Sequence, residues 1–494
     1  MRQIQIMSAT DPNAVYALEL LQTFSFLHFD AIGEQIFESA KRNTWNYMEG
    51  SIFSASATNR MMPSGWDQLV FAKALQVLLD FSLITIDGYR QIFMHPLVHE
   101  WSRERMSLEE RVHAWEIAIS TMAMSIYCCY RSENYMYRRM LKPHVAACLA
   151  TPESKERLFA DGLHVAERYS VVDKLAMVYE DADQNEIALD LHKKNLRLKR
   201  LILPSDHIVV IDTLRRMALA LRDMRRCKEA IEIHEKLLDD WQAKDDYASD
   251  TFKIYLLEDL ADTCLAAGYY EKALGMLEEV IRDYIQIFGA STEMTLLAKS
   301  SKARCLYWLD RDEEAAQIQE AVLVGIESIY SRAHPATLMI MDSLANIYWA
   351  LGKKREARKL REETLVAKKS ILGEHHPKTF ACQANILEES RWMERGKGLE
   401  ACRDALQKSQ KILGARHVAT IKNMSVLAER YLEEGYLQKA KDLQEEVVRN
   451  MITVFGEDNP HTVVEKRTLV ILKRAVSVRK FFYWWLPRRI LDNR

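Results

Sequence analysis

His95 and His99 stand four residues apart, a spacing that puts two imidazoles on one helical face where a divalent metal could bridge them. Pro96 between them and the lack of any HExxH run favour packing over a metal site. The eight cysteines, at 128, 129, 148, 227, 264, 305, 382 and 402, form no CxxC pair, which fits neither a zinc centre nor a disulfide scaffold. Cys128 and Cys129 fall in an apolar stretch and read as buried, inert thiols. No GxxxxGK[ST] loop is present to cradle phosphates. Carboxylates are abundant, but they follow helix-surface patterning, and no Ser–His–Asp or Cys–His context is legible. Neither catalysis, a metal nor a cofactor is supported. The chemistry left to this chain is recognition.

The elements that must carry it are helices. Over 494 residues there are 16 Gly and 10 Pro, where an average soluble chain of this length would hold roughly 35 and 25. A sandwich or barrel needs more turn-makers than that. With 48% hydrophobic against 28% charged residues the chain is not disordered, and its length suggests about three domains. The net charge of −2 leaves no global footprint for nucleic acid or an anionic membrane, so such partners would need a local patch. The N-terminus lacks a secretory apolar core, and the longest weakly apolar run, Ile117–Tyr130, is too short to span a bilayer. A soluble, intracellular (cytoplasmic) protein with reduced thiols is expected.

A repeat organises most of the sequence. Ala176, Ala218, Ala261, Ala303, Ala345 and Ala428 recur at 42- or 43-residue steps, with one double step, and each is followed twelve residues later by Ala188, Ala230, Ala273, Ala315, Ala357 or Ala440. An alanine in each of two antiparallel helices permits close approach. Seven residues after the first alanine come Gly268, Gly352 and Gly435, suited to a left-handed helix end, with Asp183, Arg225 and Asp310 in that place elsewhere. Gly289, Gly373, Gly414 and Gly456 stand six residues before Thr295, Thr379, Thr420 and Thr462, marking the joint between repeats, and Asn459–Pro460 reads as an N-cap with proline at the first helical position. One repeat departs: Leu387 takes the small position and Ala401 follows after fourteen residues, which should spread that hairpin. Thr462–Ala475 has Val470 and no partner alanine, as a capping helix would.

This pattern resembles the tetratricopeptide repeat, and LAxxY at Leu344–Tyr348 and Leu427–Tyr431 resembles its kinesin-light-chain variety. The resemblance covers about residues 170–475 and implies a right-handed α-α superhelix with a concave groove. Stacking is demanded in any case, because one hairpin cannot bury its own apolar stripe.

Ahead of it, residues 14–29, a stretch from after Asp30 to about Lys41, and 67–80 carry helical spacing. Two alternating runs, Ser82–Ile86 and Gln91–Met94, flank Asp87–Gly88, a strong hairpin signal. Three helices and a β-ribbon make a winged-helix plan. MHPLVHEW (Met94–Trp101) and RRMLKPHV (Arg138–Val145) resemble segments of STAND-type (NB-ARC-like) signalling ATPases, notably fungal proteins with tetratricopeptide tails. That resemblance implies a nucleotide-sensor relic at Met94 and His95, though Pro96 replaces the usual Asp and the ATPase module is missing from this chain. The expected architecture is all-α: a winged-helix-like domain (1–110) with one β-hairpin, a helical linker (111–169), the solenoid (170–475) and a basic-aromatic tail (476–494).

Function then follows from the groove. Positions three before, one after and four after each first alanine share a helix face. They give as candidate ligand residues Arg215, Arg222, Glu258, Asp262, Arg304, Tyr307, Asp342, Asn346, Trp349 and Glu429. The expected role is a non-enzymatic scaffold that holds a protein or peptide. The alternatives are the effector portion of a nucleotide-regulated switch and, less favoured, a winged-helix DNA regulator; in the third helix Lys73 faces Asp67 and Asp80, so no nucleic-acid partner is expected. In the tail, VRKFFYWWLPRR (478–489) suits helix docking first and a membrane interface second.

Overall fold

The computed structural model describes residues 6–7, 9–47, 68–126, 132–159, 165–242, 249–389, 397–457 and 459–485. Cys128, Cys129 and residues 486–494 of the tail lie outside the described residues. The chain divides into two compact units, Met1–Ala220 and Leu221–Arg494.

In the first unit, α1 (Pro12–Phe24) starts where the Asp11 carboxylate accepts the Asn13 N–H at 2.9 Å with Pro12 in the first turn. Then come β1 (Ile32–Gly33), α2 (Gln35–Tyr47), α3 (Gln68–Asp80), β2 (Ile84–Ile86) and β3 (Gln91–Met94). The hairpin is present, with the Asp87 carboxylate accepting the Tyr89 and Gln91 N–H groups at 2.9 Å each. The expected hairpin is joined by β1, which adds a third strand in the order β1-β3-β2, pairing Ile32 with Ile92. That pairing also shortens the helix expected over 14–29 to end at Phe24 and delays the second to Gln35. Ala31 turns with a positive φ of 57°, Met94 N–H donates to the Phe29 carbonyl, and the segment is held by the sheet rather than by its own helical period.

Helices α4 (Pro96–Glu104), α5 (Leu108–Ser125), α6 (Ser132–Leu149) and α7 (Pro152–Arg157) follow. A capping box, Ser107 with Glu110, opens α5. From Ala114 to Ser125 almost every side chain of α5 is buried, because the helix is covered on several sides by α1, α2 and α8 (Val165–Asp181). One apolar core runs from Ala14 in α1 to Leu191 in α9 (Asn185–Arg200), so the first helical hairpin shares its interior with the N-terminal elements. Helix α10 (Ile208–Asp223) carries the boundary between the units.

The second unit is a run of antiparallel helices: α11 (Cys227–Gln242), α12 (Ser249–Ala267), α13 (Tyr270–Phe288), α14 (Glu293–Trp308), α15 (Asp312–Ile329), α16 (Pro335–Ala350), α17 (Lys354–Leu372), α18 (Pro377–Glu389), α19 (Lys397–Leu413), α20 (Val418–Glu433), α21 (Leu437–Phe455) and α22 (Pro460–Trp485). Consecutive helices pack along the whole series from α11 to α22. All twelve alanines of the twelve-apart pairs are fully buried or within 1% of it, as a close helix crossing requires.

Turns and joints follow the spacing. Gly268, Gly352 and Gly435 have φ of 91°, 74° and 82°, and Asp183, Arg225 and Asp310 are forced into the same left-handed region at 54°, 64° and 58°. At the joints the threonine has a specific task. Thr295, Thr337 and Thr379 each donate a hydroxyl hydrogen bond to the carbonyl six residues back, at Gly289, Ser331 and Gly373, tying the start of one repeat to the end of the last. His334, His376 and His417 cap the next helix, their Nδ1 accepting the N–H two residues on at 3.1–3.2 Å, and Asn459 does so through Oδ1 at 3.0 Å. In the irregular repeat, Leu387 is only half-buried and α18 packs on α20 as well as on its own partner α19. Arg430 reaches back to the Leu387 carbonyl at 3.0 Å and satisfies the last turn of α18.

Candidate binding groove

The rows expected to face the groove divide into side chains consumed by the repeat and side chains left to a ligand. Three residues before the first alanine, Glu258 accepts the Tyr284 hydroxyl at 2.5 Å and Asp342 accepts the Lys368 ammonium, each across one hairpin and 26 residues apart. In the first unit Asp173 takes Lys199 at 2.6 Å with the same offset. Lys199 and Lys368 are almost completely buried, so each needs its carboxylate and in turn fixes the two helices against each other. Arg215, also in the first unit, donates to Asp212 at 3.0 Å. This position serves the repeat. For Asp173, Glu258 and Asp342 the signal in the sequence is the 26-residue offset between an acid and a donor.

One residue after the alanine the picture changes. Asn346 accepts from Arg361 at 2.8 Å, and the Arg361 charge lies close enough to influence Tyr307. Arg304 has no ion pair among the described residues, and one carboxylate oxygen of Asp262 is buried with no hydrogen-bond partner. Burial alone would lower the Arg222 pKa, but the carboxylates of Asp223, Asp262 and Asp259 outweigh it and raise it. Its nearest contact is Asp223, 2.9 Å away. Four residues after the alanine stand Tyr307 and Trp349, both half-buried. The Lys354 ammonium lies 5.4 Å from the Trp349 ring centre. Glu429 is exposed on α20. The structure thus brings Asp262 close to Arg222, and Tyr307 close to the Asn346–Arg361 pair. Glu258 and Asp342 are committed elsewhere.

The second unit also closes upon itself edge to edge. His461, at the start of α22, presents its ring to Trp308 at 4.8 Å in a T-shaped contact, and Tyr270 stacks on the same indole at 5.7 Å. Arg225 lies 5.4 Å from the Phe455 ring centre. Pro460 sits so tightly on Gly268 that a β-carbon there would fall 2.4 Å from its Cγ. Turns at the ends of three successive hairpins therefore clasp a joint about four to six periods further on. Burial, with the Arg225 and Lys422 cations nearby, holds the His461 imidazole below its usual pKa.

The N-terminal candidates are placed as follows. Met94 is buried in β3 opposite Ile84. His95 is exposed and caps α4, its Nδ1 accepting the Leu97 N–H at 3.2 Å, as the joint histidines do. His99 is buried, with Nε2 2.7 Å from the Leu27 carbonyl. The two imidazoles are engaged separately, His95 through Nδ1 as a helix cap and His99 through Nε2 against a main-chain carbonyl. Among the described residues no cluster of His, Cys, Asp or Glu could hold a metal ion. The six described cysteines are buried and free, and burial pushes the Cys305 and Cys382 thiols up to about 12. No helix among the described residues is long and apolar enough to cross a membrane.

The tetratricopeptide repeat family matches residues 294–370, and a domain of unknown function, DUF7779, matches residues 9–111. No curated protein matches the chain. Among solved structures, NprR in complex with its cognate peptide NprX is 12% identical, with a TM-score of 0.50 over 85% of this chain and 100% of that one. The apo form of the quorum sensor NprR from B. thuringiensis is 13% identical, with a TM-score of 0.47 over 81% of this chain and 96% of that one. The nearly identical TPR-like repeats of a kinesin light chain from Podospora anserina are 22% identical, with a TM-score of 0.33 over 41% of this chain and 96% of that one. The fold is almost wholly helical apart from one small sheet, with tetratricopeptide-like helical hairpins, and its repeats are similar to those of kinesin light chains.

Proposed function

We propose that this chain is a non-catalytic interaction scaffold whose second unit holds an extended peptide segment of a partner protein against Asp262, Arg304, Tyr307, Asn346 and Trp349. The observation that carries the reading is that, among the described residues, the Arg304 cation has no ion pair and the buried Asp262 Oδ1 no hydrogen-bond partner, with half-buried aromatics on the same helical rows. Such a surface offers a carboxylate and an N–H a place to bind, and gives an apolar side chain a ring to cover. Likeness in fold to a protein solved with a peptide is consistent with it. A peptide library displayed on phage and selected against the full chain supplies the probe. In a calorimetric titration of a selected peptide, Arg304→Ala combined with Trp349→Ala is expected to weaken binding by at least tenfold, about 1.4 kcal/mol, with melting unchanged. Unaltered affinity would overturn the groove.

A second reading concerns residues 1–110. Three helices with a sheet in the order β1-β3-β2 favour a winged-helix-like module, as the effector part of a nucleotide-regulated STAND switch would carry. The gene sequence ahead of the Met1 codon tests it. A phosphate-binding loop there supports the switch, and its absence removes it.

A further inference from the structure

Helix α22 is the first helix of a hairpin with no second helix among the described residues, and one of its faces is left open. Val464, Val470 and Ile471 are 58%, 47% and 65% exposed, and Arg467 and Arg474 fall between them on the same face at helical spacing. Neither arginine has an ion pair among the described residues, whereas the flanking Lys466 and Lys473 pair with Glu457 and Glu445. Over Pro460–Trp485 the sequence holds six basic residues and one acidic residue, Glu465, in a chain whose net charge is −2. Glu465 is turned away from the open face, accepting from Ser425 and Gln444. Positive charge is therefore concentrated on this helix and uncompensated on its open side.

We propose that the open face of α22 docks on an anionic lipid surface, lying in the plane of the interface. Valine and isoleucine enter the headgroup boundary while the two arginines meet lipid phosphates and carboxylates, an arrangement that interleaved cations and aliphatics permit. The sequence that follows, FFYWW at 481–485, holds aromatic residue types favoured at membrane interfaces. A helix from a partner protein fits less well. Every regular hairpin here places alanine at the crossing point, and α22 places Val470 there, which holds a second helix off.

Co-sedimentation of the full chain with vesicles tests this. Vesicles of 70% phosphatidylcholine and 30% phosphatidylserine are expected to bind the chain at least tenfold more tightly than pure phosphatidylcholine, with binding falling as NaCl rises from 0.1 to 0.5 M. Arg467→Glu combined with Arg474→Glu is expected to abolish that preference, and Ile471→Asp to weaken binding to both vesicle types, with helicity and melting as in the unaltered chain. Equal partition onto both vesicle types, or retention of the preference in the double arginine variant, would overturn the proposal. So would tight binding of a net-acidic amphipathic helical peptide that vesicles cannot displace, since that assigns the face to protein.

Discussion

The clasp that closes the second unit can be tested at a single atom. Gly268, Gly352 and Gly435 occupy the same place in three repeats and share a left-handed φ. An alanine there is strained by about 1–2 kcal/mol whatever surrounds it, partly offset by a less flexible unfolded chain. Around Gly352 and Gly435 a new β-carbon would meet nothing within 4 Å, so Gly352→Ala and Gly435→Ala measure that strain alone. At Gly268 the same carbon would lie 2.4 and 2.6 Å from Pro460 Cγ and Cδ, where carbon atoms ordinarily rest about 3.5–4.0 Å apart. Pro460 must retreat by more than about 1 Å, and His461 and Phe455 lie in the same joint. Losing the Trp308–His461 contact costs about 0.5–1.5 kcal/mol, and losing Arg225 over Phe455 costs a similar amount. Gly268→Ala should therefore cost about 1–3 kcal/mol more than either control. Two units in one chain make a single unfolding midpoint ambiguous, so the assay is native-state hydrogen exchange of the peptide spanning 455–463. Exchange there should accelerate roughly five- to hundredfold in Gly268→Ala. It should stay unchanged in Gly352→Ala and Gly435→Ala. Equal protection in all three variants would show that the edges do not clasp.

Two further outcomes follow from buried charge. Lys368→Met strands the Asp342 carboxylate, which is 28% exposed, so the loss should be about 2–3 kcal/mol rather than the larger cost of a fully buried orphan. Adding Asp342→Leu should recover most of it in a double-mutant cycle read by urea melts; additive losses would show that the pair does not couple the two helices. His144 is buried beside His28, and desolvation depresses its pKa to about 4 from an ordinary 6.5. The folded pKa lies below the unfolded one, so this contribution is fully present above pH 6.5 and is lost as the pH falls towards 4, to a total of about 3 kcal/mol. His99 is depressed as well and adds to the same slope. Thermal melts between pH 7 and 4 should show His144→Gln with a shallower decline than the unaltered chain. An identical pH dependence would refute the assignment.

Where a structural task is local, the sequence makes it legible. A left-handed turn, a close helix crossing and a proline-led helix start are each dictated by a few adjacent residues, so Gly268, the alanine pairs and Asn459–Pro460 announced themselves. The candidate ligand rows are the least legible. The helix period puts Asp342 and Arg304 on one face alike, and gives no sign that Lys368 consumes the first while the second has no ion pair among the described residues. Likewise His95 and His99 share a spacing but not a surrounding, and it is the Leu97 N–H and the Leu27 carbonyl that set their roles.

By itself the sequence determined that this is a stack of helical hairpins of fixed period, because small residues at crossings and positive-φ turns are written into each repeat independently of its neighbours. Only the tertiary structure decided that Ile32–Gly33 joins a sheet instead of extending a helix, and that the 225, 268 and 308 edge meets the joint at 455–461. Those contacts depend on small rotations accumulated over about four to six periods and on strand pairing across some sixty residues. No short window of the chain contains such sums.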